Sequence, residues 1–124
     1  MARDLTRSNK PVFWSLFGAG GMLSALTGPA LVLVVGLLIP LGIGFSPDAL
    51  SYERTLAFAH HPLGKIFLLA VVTLFLFHGS HRAYHCLHDF GVHVTPAMKA
   101  AFHGFAALGS IAALWWLSTL PALP

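Results

Sequence analysis

The chain has 124 residues, 7 of them Lys or Arg and 4 Asp or Glu, so 9% carry a formal charge while 56% are hydrophobic. Soluble domains run at roughly 25% charged, and a small domain has a large surface for its volume, so this composition excludes a free-standing water-soluble fold. The formal net charge is only +3, and without a basic run of four or more residues nucleic acid is not an expected partner.

The apolar residues are gathered between the charges. Lys10 and Asp48 enclose 37 residues without Asp, Glu, Lys or Arg, Lys65 and Arg82 enclose 16, and 25 follow Lys99. A helix needs roughly 20 apolar residues to cross a bilayer core about 30 Å thick. The first and third intervals are long enough, whereas the second covers only about 24 Å as a helix. Pro62 suits a helix start, which sets the second span at about 62–89 and leaves Arg82 inside it. The expectation is an all-α integral membrane protein, a single domain over residues 1–124, with three transmembrane helices near 13–40, 62–89 and 97–120.

Along the first span, Phe13-Trp14-Ser15-Leu16-Phe17-Gly18-Ala19-Gly20-Gly21 puts aromatic residues at a membrane interface, followed by residues small enough for close backbone approach. Gly20, Ser24 and Gly28 recur every four residues, a pattern that lets membrane helices pack closely, and Gly28-Pro29 is expected to kink the span. The span is too long for a signal peptide and is expected to stay attached. Gly42 to Asp48 is turn chemistry. A short interfacial helix is expected from about Ala49 to His60, with Ser51-Tyr52-Glu53-Arg54 as its start and an exposed ion pair. Gly91 and Pro96 bracket the second loop. In the third span Ala106, Ser110 and Ala113 form another small-residue pattern, and Trp115 and Trp116 read as interface anchors. Cys86 has no second cysteine to pair with and reads as a small packing residue.

Cations set the expected orientation. With three spans, Arg3, Arg7, Lys10, Arg82 and Lys99 share one side, against Arg54 and Lys65 on the other. Positive residues favour the cytoplasm, so the N-terminus is expected inside and the C-terminal Pro-Ala-Leu-Pro outside.

The second span carries the unusual feature. On a wheel of about 100° per residue, His78, His81, Arg82, His85, His88 and Asp89 fall within an arc of about 120°. The opposite face holds Val72, Leu76, Ser80, Ala83 and Leu87, suited to lipid or an apolar helix. Ionisable side chains cost several kcal/mol in a bilayer and usually face a polar cavity or partner. The plainer reading is that the stripe ends the helix in the headgroup zone, which accounts for His88 and Asp89 better than for His78 and His81. A haem needs axial histidines, and a bis-His site needs two helices, of which only the third offers another, His103. A proton path lacks a second intramembrane carboxylate. A quinone head group suits the residues best: its carbonyls need hydrogen-bond donors, its redox step needs proton carriers near neutral pH, and its developing anion needs a cation. Trp14, Phe17 and Gly18, spaced three and four apart at the depth of Arg82 and His85, are placed to wall a flat ring.

Lys10-Pro11-Val12-Phe13-Trp14-Ser15-Leu16-Phe17-Gly18-Ala19-Gly20-Gly21-Met22, Asp48-Ala49-Leu50-Ser51-Tyr52-Glu53-Arg54, Leu56-Ala57-Phe58-Ala59, and His81-Arg82 with His85 and His88-Asp89 closely resemble the D subunit family of bacterial fumarate reductase, a family of hydrophobic membrane anchors. The similarity covers almost the whole chain and weakens in the third span. It implies a non-catalytic anchor in the bacterial inner membrane that pairs with a second hydrophobic anchor, the C subunit of the complex. Together they hold a flavoprotein and an iron-sulfur protein at the cytoplasmic face, and FAD and iron-sulfur clusters belong to those partners. Menaquinol then gives two electrons at a site between the anchors and the iron-sulfur protein, and fumarate is reduced at the distant flavin. On matching positions the resemblance implies that Trp14, Phe17, Gly18, His81, Arg82 and His85 contribute to the quinone pocket, that Arg82 orients the head group, that His81 and His85 bond it or move its protons, and that no haem is held. One departure is Tyr84, where the family carries a histidine; at about 240° on the wheel it lies off the stripe.

Overall fold

A computed structural model describes residues 10–120. Its elements are α1 (Lys10–Leu33), running straight into one wider turn at Val34–Leu38, then α2 (Tyr52–His60), α3 (Pro62–Asp89) and α4 (Pro96–Ser118), with no strand among the described residues. Three stretches are long and apolar enough to span a membrane, Lys10–Leu38, Pro62–Asp89 and Pro96–Ser118. At 28 residues α3 is about 42 Å long, so its ends extend beyond the roughly 30 Å hydrocarbon layer. Arg3, Arg7 and the terminal Pro-Ala-Leu-Pro lie outside the described residues.

Local chemistry sets the ends. The first span is already helical at Lys10, the first described residue, and Pro11 is compatible with an early helical turn, where its missing N–H costs nothing. Its far end closes with Gly42 and Gly44 at φ of 65° and 72°, a left-handed backbone that glycine adopts without a Cβ clash. The helix stays α-helical through Pro29. Its departure from α geometry comes later, where the Ile39 N–H reaches the Val34 carbonyl at 3.0 Å, five residues back. The Thr95 hydroxyl accepts the Met98 N–H at 3.2 Å and caps α4, with Pro96 in its first turn.

The short interfacial helix is present but begins at Tyr52, capped by Ser51, whose hydroxyl accepts the Arg54 N–H at 3.4 Å. Its ion pair joins Arg54 to Asp48 at 2.8 Å, with both side chains more than half exposed. Glu53 is not the partner, because Asp48 sits across the turn in front of the helix. His61 then serves two helices. It lies just beyond α2 in an extended conformation and caps α3, its Nδ1 accepting the Leu63 N–H at 3.2 Å. The proline that follows disfavours a helical backbone at His61, so α2 cannot run on into α3.

The bundle is organised around α3, which packs against α1, α4 and α2. Close approach occurs where side chains are smallest. A Cβ on Gly20 would meet the Leu74 carbonyl and the His78 Cβ at 2.7 Å, and one on Gly109 would meet Leu76 at 2.8 Å. Ala106 and Ser80 are buried between α4 and α3. The Ser24 hydroxyl returns to the Gly20 carbonyl at 2.8 Å and that of Ser110 to the Ala106 carbonyl at 2.8 Å, so both remain satisfied inside their helices. Gly28, expected in the same contact, faces open space. The outward surface is the reverse of a soluble protein's: Leu26 is 71% exposed, Val32 74% and Trp116 69%. In lipid, burial no longer drives helix association, and close van der Waals contact at small residues takes its place.

Candidate functional site

The start of α1, the end of α3 and the start of α4 lie at one end of the bundle and enclose a cleft of about 480 Å³, within the usual range for a small-molecule site. Phe13, Trp14 and Lys10 line it from α1, His81 and His85 from α3, and Lys99 and His103 from α4. Its walls are rings. His81 lies 4.5 Å from His85 and 6.1 Å from His103 between centroids, the latter pair edge to face. Phe13 meets His103 edge on at 5.3 Å, joining α1 to α4.

Phe17 stands behind this wall. Its ring stacks on His78 at 4.7 Å and 11°, touches His81 at 4.4 Å, and meets Trp14 edge on at 6.0 Å. The Phe17 backbone carbonyl accepts from His78 Nδ1 at 3.1 Å; a carbonyl oxygen has a second lone pair for such a bond. Gly21 leaves room for this, since a Cβ there would meet the His78 ring at 3.0 Å. His78 therefore ties α1 to α3, and the stripe's first histidine is a structural one.

The stripe divides because an arc of about 120° is wider than one helix-helix contact. His78, His81 and His85 turn towards α1 and the cleft. Arg82, His88 and Asp89 stand exposed, as does His85, but of these four only His85 lines the cleft. Gly18 is exposed on α1 with open space where a Cβ would sit. Tyr84 leaves the stripe as the wheel requires, its ring edge-on to His85 at 5.1 Å and near Phe102 of α4 at 6.5 Å. The opposite face of α3 meets α4 rather than lipid at Leu76 and Ser80, while Val72 and Ala83 stay exposed.

Of the six residues expected at the site, the structure brings Trp14, His81 and His85 to the cleft, places Phe17 as their support, and leaves Gly18 and Arg82 exposed outside its lining. The residues that sequence reasoning did not assign to it are Lys10, Phe13, Lys99 and His103. A signal for His103 existed: with Ala106 and Ser110 it shares the three- and four-residue spacing of the α4 face that packs on α3.

The cleft has a definite chemistry. His103 Nδ1 donates to the Lys99 carbonyl at 2.8 Å, which leaves Nε2 of the neutral ring as an acceptor. Lys10 and Lys99 stand in the first turns of α1 and α4, where the helix dipoles are positive, so the mouth favours anionic character. Imidazoles, an indole N–H and flat aromatic walls suit a planar ligand with two oxygen atoms.

The family model for the fumarate reductase D subunit matches residues 4–118. Among curated relatives, the fumarate reductase D subunit of Vibrio cholerae is 44% identical over 108 residues, covering 87% of this chain and 82% of the relative. That of Actinobacillus succinogenes is 44% identical over 114 residues, 92% of this chain and 94% of the relative, and that of Vibrio vulnificus is 40% identical, covering 92% and 90%. With its three spanning helices the chain is a multi-pass protein of the bacterial inner membrane and a non-catalytic anchor. It belongs to the fumarate reductase D subunit family.

Proposed function

We propose that this chain anchors a fumarate reductase complex and contributes one wall of its quinol site. Its partners in this reading are the second hydrophobic anchor and the flavoprotein and iron-sulfur subunits at the cytoplasmic face. The supporting observation is the cleft in which Trp14, His81 and His85 meet at one bundle end. A menaquinol bound there supplies two electrons and two protons. Trp14 bounds the ring and offers its indole N–H, while His85 and His81 accept hydroxyl hydrogen bonds and then protons. Lys10 and Lys99 stabilise negative charge that develops on oxygen. Arg82 and Gly18 are exposed and stand outside the cleft lining; in this reading the partner proteins complete the pocket against them, and Arg82 orients the head group from the rim.

The test uses the whole complex isolated from membranes, assayed once with a quinol and once with a reduced dye that feeds electrons directly to the soluble subunits. Substituting His85→Leu or Arg82→Leu lowers quinol-driven fumarate reduction at least tenfold, the low end for loss of a general base being about a hundredfold, and leaves dye-driven activity unchanged. Wild-type quinol activity in both assembled variants would show a purely structural anchor.

A further inference from the structure

We propose that His103 of α4 carries protons out of the cleft, as the last member of a histidine relay that begins at His85 and passes through His81; this rests on the quinol reading above. The geometry is a chain of rings crossing from one helix to another. His85 and His81 are 4.5 Å apart between centroids, His81 and His103 6.1 Å. The longer step leaves room for a bridging water, across which hydrogen bonds remain effective.

His103 is built for this position. Its Nδ1 proton is held by the Lys99 carbonyl at 2.8 Å, one turn nearer the helix start. That bond fixes the ring and leaves Nε2 as the acceptor, while the edge of Phe13 at 5.3 Å holds it from the α1 side. A proton accepted at Nε2 makes an imidazolium whose Nδ1–H stays bonded to a carbonyl, a favourable arrangement for a cation. The next charged group along α4 is Lys99 in its first turn, beside solvent at the bundle end.

The balance closes for each quinol oxidised. Two electrons leave to an iron-sulfur centre of a partner protein, and two O–H bonds break. Each proton passes to His85 or His81, then to His103, then to water, and every imidazole returns to its neutral form. The groups facing His103 are Lys99 on its own helix, Phe13 and Lys10 from α1, and His81 and His85 from α3, with His78 further along α3. None of these is a carboxylate, and Asp89 stands exposed at the end of α3 without lining the cleft, so among the described residues the histidines are the proton acceptors within it.

The experiment compares His103→Gln and His103→Ala with wild type in the assembled complex. Gln keeps a hydrogen-bonding side chain at the position but cannot shuttle a proton. Both variants are expected to lose about tenfold in quinol-driven turnover, since His85 and His81 still take the first proton. Dye-driven turnover, which bypasses the cleft, stays unchanged. In a single turnover followed with a pH-indicating dye, proton release lags behind quinol oxidation in His103→Gln, and added imidazole restores the rate of His103→Ala. Wild-type turnover and synchronous proton release in His103→Gln overturn the relay. If His85→Leu still lowers quinol-driven turnover at least tenfold, only the relay has failed; if His85→Leu is also silent, the quinol reading has failed with it.

Discussion

Gly20 is the tightest point between α1 and α3. A methyl group there has to share space with the Leu74 carbonyl and the His78 Cβ, 2.7 Å away, and both belong to or adjoin a helix backbone that cannot rotate aside. Gly18, two residues earlier, meets nothing within 4 Å. Gly20→Ala is therefore expected to destabilise the anchor by about 1–3 kcal/mol, the cost of overpacking. Gly18→Ala is expected to be neutral or to gain up to about 1 kcal/mol from helix propensity. Thermal denaturation of the detergent-solubilised complex checks the pair, and equal effects from both would contradict the close approach. The same contact explains why His78 belongs with the structural residues: Gly20 and Gly21 give it space, and the Phe17 carbonyl and ring hold it. In the sequence His78 and His81 look alike. What separates them is the rotation of α3 against α1, a tertiary quantity that spacing along one helix does not specify.

At the scale of elements, the corner between α2 and α3 depends on Gly64. Its backbone lies against the Phe58 carbonyl of α2, where any Cβ would collide, and Leu56 and Ala59 of α2 are buried in the same packing. Gly64→Ala is expected to lift α2 off α3 while the spanning helices remain paired through Gly20 and Gly109. Hydrogen exchange reads this as faster exchange over residues 52–60 with residues 66–85 unchanged; uniform protection across both helices would show that the corner has slack. Helix existence and most boundaries were legible in the sequence because their causes are local: bilayer thickness sets length, Pro62 and Pro96 open helices, and Ser51 and Thr95 cap them. The division of the α3 stripe was not legible, because α1 contacts only part of the arc. Arg82 illustrates this, lying about 60° from His85 on the wheel yet outside the cleft. His103 was under-read for a related reason: one histidine on α4 acquires meaning only beside the two on α3.

On the scale of the whole molecule, polar chemistry is segregated to the two ends of an apolar bundle. One end carries Lys10, Arg82 and Lys99 with the cleft; the other carries Arg54 and Lys65 with α2. The composition alone places the chain in a membrane, and the arrangement decides which end must face which compartment if the cleft is to serve soluble redox partners in the cytoplasm. Among the described residues the cation count favours the cleft end inside, Lys10, Arg82 and Lys99 against Arg54 and Lys65. Cys86, the single cysteine and an exposed one, makes the orientation measurable. After Cys86→Ser, one cysteine is introduced either at Ser46, in the loop before α2, or at Val92, in the loop between α3 and α4. In spheroplasts an impermeant thiol reagent is expected to label the first and spare the second, with Val92→Cys becoming reactive only in inverted vesicles. The reverse pattern would put the cleft on the external side and separate it from cytoplasmic fumarate reduction.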